Sequence, residues 1–185
     1  MKNKPASEPG QVRVGPDRED DPLLEQAMKQ DAAHAWPVQF KNILVPIDFS
    51  ETSKKALRYA IPLAEKFGAK ITLVHVLEPN VYPENLLAPV ELEEIKTRTI
   101  GEGEELLEKL KQEAVCGRVD SVVIATMGMP YQRIIDLAAV TEADLIVLTT
   151  HGYTGLKHVF LGSTAERVVR HAPCPVLTIR AHEWA

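Results

Sequence analysis

One stretch of the chain combines glycines with small hydroxyl residues, and these are the residues best suited to binding chemistry. They are Gly152, Gly155, Gly162, Ser163 and Thr164. A helical pattern follows them, and a helix N-terminus offers unpaired N–H groups and the positive end of a dipole to an anion. Glycines also let the backbone come close to a ligand. The stretch therefore predicts a phosphate-binding loop, and the alternative is an ordinary loop with a serine or threonine N-cap.

Two other polar side chains extend this candidate site. Asp48 follows the first predicted strand, and Gly152 comes shortly after the fourth. In parallel sheets, ligands bind beyond the carboxyl ends of the strands where the strand order reverses, so an acid and a phosphate loop would share one crevice. His151 lies beside the loop and acts either as a catalytic base or, in the absence of an adjacent nucleophile, as a positioning residue. The motifs of P-loop enzymes, serine hydrolases and zinc proteases are absent from the sequence.

Composition limits the class of protein. The chain has 185 residues, of which 45% are hydrophobic and 25% charged, as expected for one soluble domain with some additional chain. The net charge of −5 argues against nucleic-acid binding, and no apolar run approaches the ~18 residues of a membrane span. The N-terminus lacks the apolar core of a secretory signal. Cys116 and Cys174 form no CxxC pair, so we expect no metal site, no disulfide and a cytoplasmic location.

Residues 1–37 differ from the rest of the chain. They hold five of the 13 prolines and an acidic cluster at residues 17–21, and they contain few apolar residues before Leu23. Such a segment buries too little surface to offset its ordering entropy. We predict a flexible N-terminal arm with one short amphipathic helix, followed by a folded domain at residues 38–182. The arm is either a docking segment or an inert extension.

Strand and helix patterns alternate along the domain. The predicted strands are residues 42–47, 70–76, 119–126, 145–149 and 176–179. Ser50 caps a first helix that contains Pro62 and ends at Gly68, and Pro130 opens a later one. Between them a long helix, about residues 90–115, has an apolar stripe that includes Leu106 and is interrupted by Gly101 and Gly103. The alternation predicts βαβ units and a three-layer α/β domain with a five-stranded parallel sheet. His75, within the second strand, is expected to be a buried histidine with a satisfied hydrogen bond.

Together these segments resemble the universal stress protein family over about residues 40–180. The resemblance is carried by ILVPIDFSETSKKAL, ITLVHV, the Gly128-Met129-Pro130 turn, ADLIVLTTHGYTGL and LGSTAERVVRHAPCPVLTI. It implies a flavodoxin-like, Rossmann-like sheet and a homodimer paired through the last strand. The nucleotide-binding branch of the family carries a Gly-x2-Gly-x9-Gly-Ser/Thr motif that holds ATP.

The motif can be placed residue by residue on this chain. Gly152 is its second glycine, nine residues follow, and Gly162 and Ser163 complete it. Thr149 stands at the position of the first glycine and would put a side chain where the family backbone approaches the nucleotide. By the same resemblance, the adenosine would contact Pro46, Ile47, Asp48 and the backbone of Val76. The ribose and phosphates would be surrounded by Leu148, Thr149, His151, Gly152, Gly155, Ser163, Thr164 and Ala165.

Three functions compete at this point. The first is a universal stress protein that binds ATP or AMP, with or without Mg²⁺. It would act in the stress response as a binding or regulatory module for an unknown protein partner, and not as an enzyme. The second is a family member that binds no nucleotide and acts through protein contacts, which Thr149 favours. The third is a slow ATPase, against which we count the lack of a water-activating carboxylate beside the loop.

Overall fold

Short runs rich in valine, isoleucine and leucine form the strands, because such side chains fit a pleated sheet that is covered on both faces. In this computed structural model the strands are β1 (Asn42–Pro46), β2 (Lys70–Leu77), β3 (Ser121–Met127), β4 (Leu145–Thr149) and β5 (Val176–Ile179). All neighbouring pairs are parallel, in the order β3-β2-β1-β4-β5. The predicted fold class is confirmed, and so is the adjacency of the first and fourth strands.

The structure describes residues 39–78, 89–150 and 162–180, which all fall in one compact unit, Gln39–Ala185. The predicted N-terminal arm lies outside the described residues. The helices are α1 (Glu51–Lys54), α2 (Leu57–Phe67), α3 (Pro89–Leu110), α4 (Pro130–Val140) and α5 (Ser163–His171). A π-helical turn, Lys111–Val115, extends α3. Within these described segments, none of the helices has the length and apolarity needed to cross a membrane.

The alternation of side chains along each strand divides the core into two layers. On β4, Leu145 and Val147 belong to the layer under α2 and α3, whereas Ile146 and Leu148 belong to the layer under α4 and α5. All five β4 residues are buried, as expected for a strand in the interior of the sheet. Both layers reach the carboxyl edge of the sheet, so helices on each side border whatever binds there.

The local caps follow the sequence, but the first predicted helix is divided into two. Ser50 Oγ accepts the N–H of Ser53 at 3.0 Å, and Gly68 ends α2 with a φ of 65°. Residues 55 and 56 separate α1 from α2 through turns with i→i+3 hydrogen bonds. Residues 55 and 56 lie seven and six positions before Pro62, nearly two helical turns, whereas the proline ring crowds only the turn directly before it and α2 continues through it. The prediction of a single helix was therefore wrong.

Helix α3 runs through both of its glycines, which corrects the predicted interruption. Gly103 is buried against the sheet, where a Cβ would lie 3.3 Å from the Cβ of Ala125. A glycine at this position lets the helix approach the strands closely, and the surrounding helix offsets its weak propensity. Leu106, predicted on the apolar stripe, is 52% exposed, whereas Leu107 is fully buried, because the face that packs on the sheet runs through Gly103, Leu107 and Leu110.

Both cysteines lie among the described residues and are free thiols. Cys174 is half-buried after α5, and burial, followed by the nearby charge of Asp144, raises the pKa of its thiol. The neutral thiol packs against the layer under α4 and α5. Cys174 is therefore a packing residue.

Candidate functional site

A cleft of about 300 Å³ lies at the carboxyl edge of the sheet, where β1 and β4 are adjacent. Its apolar lining residues are Pro46, Ile47, Val74, Val76, Pro130, Ile134 and Leu148. Its polar and small lining residues are Asp48, Ser53, Glu78, Thr149, Thr150, Gly162, Ser163, Thr164 and Ala165. The cleft thus occupies the switch point, where β2 follows β1 on one side and β4 lies on the other.

Every predicted site residue that the structure describes lines this cleft. They are Pro46, Ile47, Asp48, Val76, Leu148, Thr149, Gly162, Ser163, Thr164 and Ala165. The other three predicted residues, His151, Gly152 and Gly155, lie outside the described residues. The sheet therefore brings together segments that are about a hundred positions apart in the sequence.

The first turn of α5 forms the part of the cleft that is best suited to bind a phosphate. Gly162 is the N-cap, with φ −66° and ψ 153°, and no side chain caps the helix there. Ser163 and Thr164 are the first two helical residues, so the alternative prediction of a serine or threonine N-cap was wrong. Because Gly162 has no side chain to accept the first N–H groups, this helix start is suited to an external acceptor such as a phosphate oxygen.

One backbone hydrogen bond fixes this helix start to the sheet. The N–H of Gly162 donates to the carbonyl of Thr150 at 2.6 Å, across the eleven residues 151–161. The N–H of Thr150 in turn donates to the carbonyl of Ile179 on β5 at 2.9 Å. The end of β4 and the start of α5 are therefore joined directly, which sets where an anion at α5 would lie relative to the strands.

Asp48 lines the same cleft from the turn between β1 and α1. Its Oδ1 accepts the N–H of Ser50 at 3.0 Å and the hydroxyl of Ser50 at 2.6 Å. Its own N–H donates to Ser53 Oγ at 3.3 Å. These bonds close a local turn in which the next residue, Phe49, has a φ of 62°. The turn presents a carboxylate to the cleft in one defined position.

Sequence reasoning missed several lining residues, of which Glu78 matters most for chemistry. Glu78 directly follows β2, as Asp48 follows the end of β1, and both line the cleft. The rule that ligands bind beyond strand carboxyl ends could have identified it. The site thus has a second carboxylate besides the predicted Asp48, whereas the lack of a water-activating carboxylate beside the loop and the absence of ATPase activity stay predictions. The other missed residues are Ser53, Val74, Pro130, Ile134 and Thr150.

Thr149 lines the cleft, and strand alternation indicates where its side chain is. Because side chains alternate along a strand, Thr149 lies on the same face of the sheet as Leu145 and Val147, opposite to Leu148 and α5. The residue is 8% exposed. Its side chain therefore does not project between Leu148 and the first turn of α5, the space closest to the helix N-terminus.

The cleft is polarised from one end to the other. Carboxylates at Asp48 and Glu78 accept hydrogen bonds on the β1 and β2 side, while the N-terminus of α5 and the hydroxyls of Ser163 and Thr164 favour negative charge on the β4 side. Apolar side chains from β1, β2, β4 and α4 complete the lining. Such an arrangement suits a ligand with an anionic group, a flat apolar part and hydroxyl or amino donors.

The family model of the universal stress proteins matches residues 39–180, the same part of the chain that builds this sheet and cleft. The chain belongs to the universal stress protein family. It is 36% identical over 141 residues to a universal stress protein of Methanocaldococcus jannaschii, covering 76% of this chain and 82% of that protein. The resemblance inferred from the motifs is confirmed.

Solved structures of universal stress proteins share the fold. The protein from Lactobacillus plantarum superposes with a TM-score of 0.67 and 31% identity, covering 77% of this chain and 99% of the other. A universal stress protein solved in complex with cAMP superposes with a TM-score of 0.57 and 22% identity, covering 78% of this chain and all of the other. At that identity the second likeness shows the fold alone.

Proposed function

We propose that this universal stress protein binds an adenine nucleotide, ATP or AMP, and acts in the stress response as a binding or regulatory module rather than as an enzyme. The observation that carries the proposal is the polarised cleft at the switch point between β1 and β4. A mononucleotide has the matching chemistry in one molecule, with phosphates at one end and a nucleoside at the other. The volume of about 300 Å³ is at the lower end of the range for ligand sites.

The charges of the cleft give the nucleotide one orientation. The phosphates lie at the first turn of α5, where the backbone N–H groups and the hydroxyls of Ser163 and Thr164 donate to them. The nucleoside lies over the apolar residues toward β2, where its hydroxyl and amino groups donate to Asp48 and Glu78. The reverse orientation would set phosphates against two carboxylates and is disfavoured by charge repulsion.

The same orientation separates the carboxylates from the phosphates. In the proposal neither Asp48 nor Glu78 activates water at the γ-phosphate, so we expect binding without rapid hydrolysis. Among residues 39–78, 89–150 and 162–180 there is no group of three or more side chains suited to hold a metal ion. Mg²⁺ would therefore enter as a companion of the phosphates, which is its usual manner of binding with nucleotides. A phosphate-release assay on the parent and on Glu78→Gln tests this part.

A fold neighbour in complex with cAMP indicates that the fold is compatible with an adenine nucleotide. The assignment to this chain rests on its own cleft. The proposal extends to a homodimer formed through β5 and to a cytoplasmic location. If the cleft binds no nucleotide, the alternative of a family member that acts through protein contacts replaces the proposal.

The deciding experiment is to denature the purified protein, identify any released nucleotide, and titrate ATP, ADP, AMP and GTP by calorimetry. Gly162→Val is the matched variant, because the φ of −66° at Gly162 accepts a side chain while the branched group blocks the helix start. We expect its ATP affinity to fall at least about tenfold, as for a lost charge-assisted hydrogen bond. Gly101→Val, on α3 with open space around it, is the control and should bind like the parent. No binding of any nucleotide by the parent would refute the proposal.

A further inference from the structure

We propose that His75 is a positioning residue for the nucleotide cleft, and this inference rests on the function proposed above. His75 lies on β2 and is not among the residues that line the cleft. It acts through the backbone of the β1–α1 turn, which presents Asp48 to the nucleoside. Its imidazole ring makes three contacts, with the carbonyl of Ile47, with the ring of Phe49 and with α3.

The first contact fixes the backbone on the N-terminal side of Asp48. The carbonyl oxygen of Ile47 lies 2.7 Å from His75 Nδ1. A carbonyl oxygen only accepts, so Nδ1 carries the proton and donates. The N–H of Ile47 donates to the carbonyl of Val74 at 2.7 Å, so β2 holds both polar backbone groups of Ile47. Ile47 is only 3% exposed. Without the imidazole, its carbonyl would lose this hydrogen-bond donor in a buried position, which costs free energy.

The second contact holds the residue on the C-terminal side of Asp48. The rings of Phe49 and His75 lie 4.6 Å apart at an interplanar angle of 55°. Phe49 has a φ of 62°, a conformation that costs a bulky L-residue free energy and persists only where its surroundings hold it. Both neighbours of Asp48 are therefore held by one imidazole, while Ser50 and Ser53 bond to Asp48 itself.

The third contact limits where the ring can move. A Cβ added to Gly103 of α3 would lie 3.4 Å from His75 Cδ2, so the helix packs directly against the ring. His75 thus lies between α3 and the β1–α1 turn, with its hydrogen bond made as predicted but with the residue only partly buried. Because both sides of the ring are occupied, a change in the side chain should be transmitted to the turn, and through it to the position of the Asp48 carboxylate.

Two substitutions separate the hydrogen bond from the ring packing. His75→Asn keeps an amide donor near the position of Nδ1 and loses the ring, whereas His75→Phe keeps a ring against Phe49 and loses the donor. We expect ATP affinity in calorimetry to fall about tenfold in His75→Phe, and by a smaller factor in His75→Asn, which keeps the donor to Ile47 but loses the ring beside Phe49. Thermal melts establish that each variant is folded at the titration temperature.

The outcomes are distinguishable from those of the proposed function. If Gly162→Val loses binding while both His75 variants bind like the parent, the nucleotide site stands and the role of His75 is refuted. If the parent binds no nucleotide, both proposals fail. A measurement that needs neither ligand nor variant is the tautomer of His75 by long-range proton–nitrogen NMR in the free protein. We expect a proton on Nδ1, and a neutral ring protonated on Nε2 alone would overturn the inference.

Discussion

Asp144 secures the two central strands at the end of the sheet opposite to the cleft. Its Oδ2 accepts the backbone N–H groups of Lys41 at 2.7 Å and Asn42 at 2.9 Å, just before β1 and at its first residue. Its own N–H donates to the carbonyl of Asn42 at 2.9 Å. One carboxylate thus accepts the two backbone N–H groups at the start of β1, next to the point where β1 begins to pair with β4.

We therefore expect Asp144→Asn to lower the free energy of unfolding by roughly 1–2 kcal/mol, because a charged acceptor of two N–H groups becomes a neutral one. Denaturant unfolding measures the difference. Asp136→Asn is the control, since Asp136 is a half-exposed helix residue whose ion pair, at 3.9 Å, contributes little. Equal stabilities of the two variants would contradict the role given to Asp144.

Thr149 illustrates how side-chain direction changes the meaning of a motif. From the sequence, Thr149 replaces a glycine and would crowd the nucleotide. In the structure its side chain belongs to the face of Leu145 and Val147, away from the first turn of α5. We expect Thr149→Gly to leave ATP affinity essentially unchanged and to lower stability by about 1 kcal/mol, because glycine is a poor strand residue. A marked gain in affinity by calorimetry would show that crowding was the correct reading.

At the scale of the element, the two glycines of α3 form a natural pair for comparison. Open space surrounds the Cβ position of Gly101, whereas that of Gly103 lies 3.3–3.4 Å from Ala125, His75 and Leu77. We expect Gly101→Ala to raise the free energy of unfolding by up to about 1 kcal/mol through helix propensity. Gly103→Ala should not raise the free energy of unfolding, because contacts of this length force the helix or its neighbours to move. Thermal unfolding of the two variants checks this, and an equal rise in both would contradict it.

Helix α3 and the α1–α2 pair also show what the sequence could and could not predict. Periodicity and local caps were sufficient for β4, for the cap at Ser50 and for Pro130 at the first position of α4, because these depend on neighbouring residues. The path of α3 through Gly103 depends instead on how closely the helix approaches Ala125, which no local pattern contains. The split at residues 55 and 56, where hydrogen bonds run from i to i+3, is likewise not marked by a glycine or proline in the sequence there.

The same distinction applies to the site. The Gly162–Ser163 pair and Asp48 were visible from the sequence, because motif spacing and strand ends indicate them. Glu78 was missed because its role comes from the parallel pairing of β2 with β1, which places the ends of both strands at one edge. The direction of the Thr149 side chain required the observed division of the core into two layers.

At the scale of the whole molecule, β5 ends the order of strands at one edge of the sheet. The carbonyls of Pro175 and Ile179 accept hydrogen bonds from the β4 side, so alternation directs the N–H of Thr178 to the other side. We predict a homodimer that pairs through this edge. Thr178→Pro removes the outward N–H without removing a bond to β4, and should convert the dimer to a folded monomer in sedimentation. Thr178→Val is the control, and a monomeric parent at micromolar concentration would refute the prediction.

The pairing of β1 with β4 has a consequence for the time course of folding. It joins Ile43 to Leu145 and Leu44 to Ile146, whereas β1, β2 and β3 pair with strands close to them in the chain. Contacts between residues that are distant in the sequence carry the largest loop-closure cost, so the pairing of β1 with β4 is expected to form late in folding. In the proposed complex a nucleotide would contact residues on both β1 and β4, and would therefore bind only after these two strands have paired. ATP should therefore slow unfolding and leave the refolding rate almost unchanged in stopped-flow kinetics. Faster refolding with ATP would mean that β1 pairs with β4 early in folding.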